Sequence, residues 1–395
     1  MIPSSLPSPP SDWSSFEIPL GFIYDALVGI LPWFPSQLVI HVYALAILTG
    51  IVVAIVVSNY RLTARGAEPW IVVDLSIWAV LFGIVGSRVW HVATHPDDYF
   101  GVGKQGFTLD MGDPATVGSS VWAVWAGGVA IFGAILGGSI GVYIACRLAG
   151  LRFTAAVDAM APTLLLAQAF GRIGNYFNQE LFGLPTDLPW GLEIDRPNAA
   201  IPVGIPDDAL FHPVFLYEIL WLLAGFGILM LIENRVVRET ATTGIFGAVQ
   251  QKIDAAIDGS LTPNGLPWQT FRLLTRLKVS FVRRDAWYWG KMVGLWAIWY
   301  GIGRAWFESI RLDPSETFLG IRSNVWGALA AIVVGLLILI IQTKSHPGIE
   351  PSVYRPGKEW KPEDAVDSEQ IYSDEEPGDG AGTTPAPATS GASRK

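Results

Sequence analysis

The chain has 395 residues, of which 51% are hydrophobic and only 15% are charged, and its mean hydropathy is positive. Ordinary soluble domains carry about 25% charged residues. The composition therefore excludes a typical soluble fold and favours a membrane protein. We expect the lipid bilayer to be a partner of this chain and nucleic acid not to be one. The single cysteine, Cys146, excludes an internal disulfide and a cysteine-based metal site.

Apolar segments long enough to cross about 30 Å of hydrocarbon as helices recur along the chain. In chain order they are 37–57, 70–92, 121–146, 211–232, 288–307 and 324–341. A further segment, 153–170, is weaker because it contains Asp158 and Pro162. We count this segment as the seventh span, because seven crossings place most of the basic loops on the cytoplasmic side. The predicted fold is an all-α polytopic membrane protein with about seven transmembrane helices.

The lysines and arginines predict the orientation, because basic loops stay on the cytoplasmic side of a membrane. An outer amino terminus places the loops with Arg61 and Arg147 and the basic segment 235–291 inside. We therefore predict that the amino terminus is outside and the carboxyl terminus inside. The outer segments would form a small head domain; they are 93–120, 171–212 and 309–323.

The predicted domains follow from these spans. Residues 1–36 form an outer amino-terminal segment, and 37–341 form the transmembrane domain. A cytoplasmic insertion at 233–287 contains amphipathic stretches that either lie on the inner leaflet or form a solvated connector. Residues 342–395 hold much of the acidic excess behind the net charge of −9, and their composition predicts a disordered cytoplasmic tail.

The densest polar group follows the 153–170 span, in the stretch 171–183. Its polar members lie between two glycines and are Arg172, Asn175, Asn178, Gln179 and Glu180. Charged residues at membrane depth are costly and persist where a partner or a function compensates. A backbone that leaves a helix at that depth is tolerated only in a protein-lined or watery cavity. The stretch therefore predicts a cavity with a ligand.

A second polar group lies in the 288–307 span and just after it. Arg304, Glu308 and Arg311 are spaced by four and three residues, so they share one helix face. Two arginines at membrane depth suit a phosphate, because a guanidinium binds phosphate oxygens bidentately and keeps its charge. A phospholipid headgroup would supply that phosphate. Arg304 and Glu308 could instead form a structural ion pair.

A third group opens the 211–232 span, where Pro213 begins the helix and His212 lies just before it. Tyr217 and Glu218 follow within two turns. His212 could cap the helix, bond a neighbouring backbone group or move protons. Tyr43, on the first span, is a further polar residue in the outer half.

The stretch GRIGNYFNQELFG, 171–183, carries every fixed position of Gly-Arg-x-Gly-Asn-x-x-Asn-x-Glu-x-x-Gly. It resembles the signature of the bacterial prolipoprotein diacylglyceryl transferases. The segments IHVYAL, GSRV, WAGGVAIFG, HPVFLYE and YGIGRAWFESIR support the resemblance in the expected order, so it covers about 35–341. The length, the tail and the Pro-rich start resemble actinobacterial members. The resemblance implies seven spans with an outer head domain in the cell membrane and an active site toward the outer leaflet.

The resemblance also implies a reaction. Such an enzyme transfers the diacylglyceryl group of phosphatidylglycerol to the lipobox cysteine of a prolipoprotein signal peptide, which forms a thioether and releases glycerol phosphate. No metal or organic cofactor is expected. The candidate catalytic residues are Arg172, Arg304, Glu180, Glu308 and, as a possible proton carrier, His212. The candidate substrate-binding residues are Arg172, Asn175, Asn178, Gly183, Tyr43, Tyr300, Arg311 and Asp158.

One departure from the family pattern concerns the base. Many members carry a histidine, proposed as a base, where this chain has Phe132. A thiol with a pKa of about 8.5 is mostly protonated at neutral pH, and the thiolate is the nucleophile. We therefore predict that Arg172 and Arg304 promote ionisation of the thiol by their charge. Glu180, Glu308 or His212 would then receive the proton.

Two other functions stay open at this point. Because of Phe132, the chain could be a catalytically weak family member that acts as a lipoprotein-binding or assembly factor. Complementation of a strain depleted of its own transferase would separate that function from catalysis. A secondary transporter would also carry intramembrane charges, although such proteins usually show paired repeats and midplane sites. Phospholipid turnover by a purified preparation would exclude it.

Overall fold

In a computed structural model, the described residues are 5–27, 36–113, 115–236, 289–313, 317–346 and 350–360. Contacts divide the chain into two units, Met1–Lys358 and Glu359–Lys395, and every element below belongs to the first. Most of the predicted cytoplasmic insertion (233–287) and most of the predicted tail (342–395) lie outside the described residues.

Helices dominate the described part of the chain. They are α1 Gly21–Leu27, α2 Val42–Ala64, α3 Ile71–Thr94, α4 Ile131–Leu148, α5 Phe153–Phe177, α6 Val214–Val236, α7 Lys291–Ile310 and α8 Ser323–Ser345. Two antiparallel hairpins accompany them. Strand β1, Ser15–Pro19, pairs with β2, Gln37–His41, and β3, Thr317–Phe318, pairs with β4, Ile321–Arg322.

Within the part of the chain that the structure describes, six helices, α2 to α6 and α8, are long and apolar enough to cross a membrane. This confirms the prediction of a helical, polytopic membrane protein. Helix α7 has 20 residues, but Lys291, Arg304 and Glu308 lower its hydropathy, so it is not among the six.

Three predicted span boundaries were wrong, each for a local reason. The first helix begins at Val42, because Gln37–His41 pairs with β1 as a strand. The third begins at Ile131, because Gly127 and Gly128 have positive φ angles of 95° and 66° that break the helix. The fourth continues to Phe177, so the first half of the 171–183 stretch is helical and not an irregular loop.

Helix α5 lies at the centre of the bundle, against α2, α6 and α7. Its small residues allow close packing. Ala161, Leu165 and Ala169 form a buried apolar cluster with Leu222 and Leu229 of α6 and Met292 of α7. This cluster brings the polar second half of α5 beside the first turns of α6 and the second half of α7.

A second apolar cluster lies beyond the end of α5 that carries Arg172. It consists of Phe182, Leu192, Ile194 and Phe211, with Leu6 packed against them. The segment around Leu6 pairs with this cluster through hydrogen bonds from the Leu6 amide to the Gly191 carbonyl, 2.7 Å, and from the Glu193 amide to the Leu6 carbonyl, 2.9 Å. The residues around Leu6 are therefore part of the packed structure.

At the opposite end of the bundle, ionic groups join the helices. Arg61 is completely buried; its Nη1 lies 2.7 Å from Glu233 Oε2 of α6, and its Nε donates to the Ala159 carbonyl of α5. Asp158 is completely buried as well, and it accepts hydrogen bonds from the amides of Gly290, Met292 and Val293. It therefore caps the start of α7.

The ordered chain continues past 341, the predicted end of the transmembrane domain. Helix α8 ends at Ser345, and part of 350–358 packs on the loop between α4 and α5. The Arg152 amide donates to the Val353 carbonyl, the Arg355 amide donates to the Gly150 carbonyl, and the Tyr354 hydroxyl accepts from the Glu68 amide. Burial raises the pKa of the Tyr354 hydroxyl and of the Glu350 carboxyl. This strap, residues 350–358, joins two loops at this end of the bundle.

Candidate active site

The last two turns of α5 and the turn after it hold one hydrogen-bonded chain. Arg172 Nη1 donates to Asn175 Oδ1 at 3.0 Å, and Asn175 Nδ2 donates to Glu180 Oε1 at 2.9 Å. Asn178 Nδ2 donates to the same Glu180 oxygen at 3.2 Å. Arg172 and Asn175 are one turn apart, so the helix places them on one face.

The second predicted group lies at the end of α7 and is densely paired. Glu308 is completely buried, and its Oε2 lies 3.0 Å from Arg304 Nη2 and 3.6 Å from Arg311 Nη1. Arg322 Nη1 lies 3.6 Å from Glu308 Oε1, and Asn324 Nδ2 donates to the same oxygen at 3.1 Å. A buried charge requires such pairing, so Glu308 holds the end of α7 and the start of α8 together.

Glu218 of α6 joins the two groups. Its Oε2 pairs with Arg172 Nε, and its Oε1 lies 3.9 Å from Arg304 Nη1. Glu218 is buried, with only 5% of its surface exposed. Glu218 follows His212 in the third polar group of the sequence but was not among the predicted site residues. The structure therefore makes one polar network from three helices that lie far apart in the sequence.

A small, partly open pocket lies at this junction. Its lining residues come from α5, α6 and α7 and are Gln168, Arg172, Glu218, Trp221, Leu222, Tyr300, Gly303, Arg304 and Phe307. Among the described lining residues the charged groups are two arginines and one glutamate, so the pocket is positive on balance. An apolar wall with a few converging charges is typical of a ligand site.

The predicted residues divide by location. Arg172, Arg304 and Tyr300 line the pocket, whereas Asn175, Asn178, Glu180, Glu308 and Arg311 belong to the connected network behind it. Arg311 also forms two bonds with Asp313, of 2.7 and 2.9 Å.

Tyr43 and Gly183 lie at close packing contacts. A side chain at Gly174 would overlap Tyr43, so α2 and α5 touch about half a turn beyond Arg172. The Gly183 amide donates to the His212 carbonyl at 2.9 Å, and a Cβ atom at Gly183 would lie 2.9 Å from the Ile310 carbonyl oxygen. Gly183 therefore lets the segments before α6 and after α7 approach each other.

Neither His212 nor Asp158 is among the described residues that line the pocket. The His212 ring nitrogen is 3.3 Å from the Tyr217 hydroxyl, which accepts from Trp190 Nε1 at 2.9 Å. Asp158 is on α5, about 21 Å along the helix axis from Arg172 at 1.5 Å per residue. Its cap on α7 gives it a structural role, and the geometry gives the predicted substrate-binding role no support.

Gln168 and Trp221 also line the pocket and were not among the predicted site residues. Gln168 precedes Arg172 by one turn, and its buried Oε1 has no hydrogen-bond partner among the described residues. A buried unpaired amide oxygen is costly and indicates a place for a ligand donor. Trp221 follows Glu218 on the same face of α6. Their spacing from charged residues could have indicated these positions, because Gln168 is four residues before Arg172 and Trp221 is three residues after Glu218.

Phe132, which replaces the histidine of many family members, is half exposed at the start of α4. Its ring lies 6.2 Å from that of Trp90, and it packs near Gly327 of α8. It is not among the described residues that line the pocket. Nearby, Arg88 donates to the carbonyls of Gly127 and Ser120 at 2.6 Å each, so this arginine orders the loop before α4.

The comparisons with known proteins agree with the signature. A family model described as prolipoprotein diacylglyceryl transferase matches residues 32–252. A phosphatidylglycerol–prolipoprotein diacylglyceryl transferase of Leifsonia xyli subsp. xyli is 44% identical over 94% of this chain and 91% of its own length. Enzymes of the same name are 34% identical in Streptomyces coelicolor, over 84% of each chain, and 31% identical in Bifidobacterium adolescentis, over 76% of this chain and 75% of its own.

The match to the Leifsonia protein extends over 94% of the chain, and the family model includes the pocket helices α5 and α6. The identity to the Leifsonia protein is well above that of a chance similarity over 374 residues. The chain belongs to the prolipoprotein diacylglyceryl transferase family.

Proposed function

We propose that this protein transfers the diacylglyceryl group of phosphatidylglycerol to the lipobox cysteine thiol of prolipoproteins. The observation that carries the proposal is that Arg172 of α5 and Arg304 of α7 face one pocket inside a helical bundle. The family membership, with relatives of that name, makes the chain a transferase of lipoprotein biosynthesis.

The two arginines suit the phosphodiester of phosphatidylglycerol. Each guanidinium can bind phosphate oxygens bidentately and keeps its charge at every physiological pH. The phosphate becomes the leaving group when the thiolate attacks the glyceryl carbon that bears the phosphate ester. Negative charge then grows on the departing oxygen, and fixed cations in a site shielded from water stabilise it.

Apolar and polar lining residues supply the remaining recognition. Trp221, Leu222 and Phe307 form the apolar side of the pocket, where the glyceryl backbone of the lipid would lie. Tyr300 and the unpaired Gln168 oxygen are available to the hydroxyls of the headgroup. The predicted binding role of three network residues would be to hold Arg172 in place and not to contact the substrate; they are Asn175, Asn178 and Glu180.

The proposal includes a topology. Helix α7 would cross the membrane as a seventh span, with its charged residues directed to the network and pocket and with the Asp158 cap at its inner end. The amino-terminal segment and the apolar cluster around Phe211 would form the outer head domain of a cell-membrane protein. The distribution of basic residues supports this orientation. Reporter fusions at residues 105 and 195 should read outside, and fusions at 65, 260 and 380 inside; a cytoplasmic reading at 195 would refute it.

Transfer can be measured directly with the purified full chain. Phosphatidylglycerol labelled in its diacylglyceryl part and a lipobox peptide should give a labelled thioether peptide and stoichiometric glycerol phosphate. A peptide with serine for the cysteine is the matched control. Absence of labelled product with wild-type protein in a native membrane extract would refute the transferase function. The protein would then be a lipoprotein-binding or assembly factor. In that case it would also fail to complement a strain depleted of its own transferase.

A further inference from the structure

We propose that Glu218 is the catalytic base that takes the thiol proton, and that the arriving phosphate releases it from its arginines for this task. The inference rests on the proposed function and deepens it. In the described structure the carboxylate of Glu218 lies between Arg172 and Arg304. That is the place between two guanidinium groups that a substrate phosphate requires.

The other two candidate carboxylates, Glu308 and Glu180, are not among the described residues that line the pocket. Glu308 is completely buried among Arg304, Arg311 and Arg322 and is not a lining residue of the described pocket. Glu180 accepts hydrogen bonds from two asparagine amides. Among the described residues that line the pocket, Glu218 is the one carboxylate.

Exchange of counter-ions makes Glu218 suitable as a base. Without substrate, the two arginines engage both Glu218 oxygens, Arg172 Nε at Oε2 and Arg304 Nη1 at Oε1. When a phosphate binds both arginines, it takes over these ion pairs and adds negative charge beside Glu218. The carboxylate oxygens are then released from their arginines and can accept the thiol proton. The base is therefore activated when the lipid is in place.

The step balances in atoms and charge. The thiol proton moves to a Glu218 oxygen, and the sulfur electron pair forms the bond to the glyceryl carbon. The bond from that carbon to the phosphate oxygen breaks, and its electron pair leaves with glycerol phosphate. The proton on Glu218 then passes to the departing phosphate or to water, which restores the carboxylate.

A selenol provides a test specific for a base. Selenols are far more acidic than thiols, so a lipobox peptide with selenocysteine, kept reduced, supplies an ionised nucleophile without help. Glu218→Gln should lower kcat with the cysteine peptide by about 10²-fold or more, as is typical for loss of a general base. KM for phosphatidylglycerol should stay within about threefold or fall, because a negative charge beside the phosphate is removed. The ratio of the transfer rate with the selenocysteine peptide to that with the cysteine peptide should be at least about tenfold higher for the variant than for wild type.

Glu180→Gln is the matched control. This variant makes the same chemical change in Glu180, a carboxylate that belongs to the network but does not line the pocket. Its ratio of selenol to thiol transfer rate should equal that of wild type. Glu218→Asp keeps a carboxylate and replaces the glutamine variant in this test if that variant does not fold. Its ratio of selenol to thiol transfer rate should exceed that of wild type by less than the ratio of Glu218→Gln does. An unchanged ratio in a folded Glu218 variant would overturn the inference. Failure of wild type to transfer to either peptide would instead refute the proposed function.

Discussion

The indole rings of Trp221 and Trp299 stack with their centroids 4.2 Å apart, and each donates its Nε1–H to the backbone carbonyl of the other, at 3.2 and 3.1 Å. This pair joins α6 to α7 within one turn of Glu218 and near Arg304. Gly225 and Gly303 make it possible, because a Cβ atom at either position would overlap an indole. The pair therefore sets the distance between the two helices that carry the carboxylate and the arginine.

The first prediction concerns this indole pair. Gly225→Ala should displace Trp299 and destabilise the protein by about 1 to 3 kcal/mol, the usual cost of overpacking. Gly227→Ala is the matched control, because a Cβ atom at Gly227 meets nothing within 4 Å. Thermal unfolding of both variants in detergent, followed by tryptophan fluorescence, measures the difference. Equal melting temperatures for the two would show that the packed indoles do not restrain α6 and α7.

The second prediction tests the phosphate site. Removing one preorganised donor that stabilises transition-state charge costs about 10² to 10³ in turnover, so Arg172→Ala and Arg304→Ala should each lose that much transfer activity. Phe132→Leu should lose less than about tenfold, by analogy with volume-conserving core changes, because Phe132 does not line the described pocket. Near-normal rates for both arginine variants at normal protein levels would rule out this pocket as the active site. A Phe132→Leu loss as large as theirs would mean that the start of α4 contributes to catalysis.

The third prediction concerns Gln168 and the lipid headgroup. Its unpaired oxygen should accept a hydrogen bond from a glycerol hydroxyl, and such a bond is worth about 1 kcal/mol, or about fivefold in affinity. Gln168→Leu should raise KM for phosphatidylglycerol by about this factor. It should change KM for phosphatidylmethanol, which lacks the hydroxyls, much less. If the two lipids were affected equally, the side chain would act through packing and not through recognition.

The fourth prediction separates a helix cap from a substrate contact. Asp158→Asn keeps the size of the side chain but replaces a carboxylate that accepts three amide hydrogen bonds at the start of α7. Loss of a cap costs about 0.5 to 2 kcal/mol, so the melting temperature should fall while KM for phosphatidylglycerol stays within about threefold. A large rise in KM with unchanged stability would restore the substrate-binding role that the sequence predicted.

The fifth prediction concerns the strap. A chain ended after residue 360 should keep its melting temperature, and its transfer activity should stay within about threefold of the full chain, because the removed residues have the composition of a disordered tail. A chain ended after residue 349 loses the contacts of Glu350, Val353 and Tyr354. Several hydrogen bonds of about 1 kcal/mol each are then absent, and the second chain should melt earlier. The same melting temperature for both chains would mean that the strap does not stabilise the bundle.

The sequence by itself determined the class of the protein and the members of its two charged groups. Hydropathy over about 20 residues identifies a membrane helix, and spacing along one helix decides that Arg172 and Asn175, or Arg304 and Glu308, share a face. These are local properties, so they can be read without a structure. The exact starts of α2 and α4 could not, because pairing of Gln37–His41 with β1 and the Arg88 contacts of the Gly127 loop involve distant residues.

Only the tertiary structure decided that the two groups form one site. Glu218 joins Arg172 and Arg304 because α5, α6 and α7 meet along particular faces, and those faces are selected by buried contacts such as the cluster around Leu165 and the stacked indoles. Apolar packing is non-directional, and in sequence Glu218 is one polar residue in an apolar helix. Its role depends on which charges two other helices bring to it, and that follows from the packing of all three together.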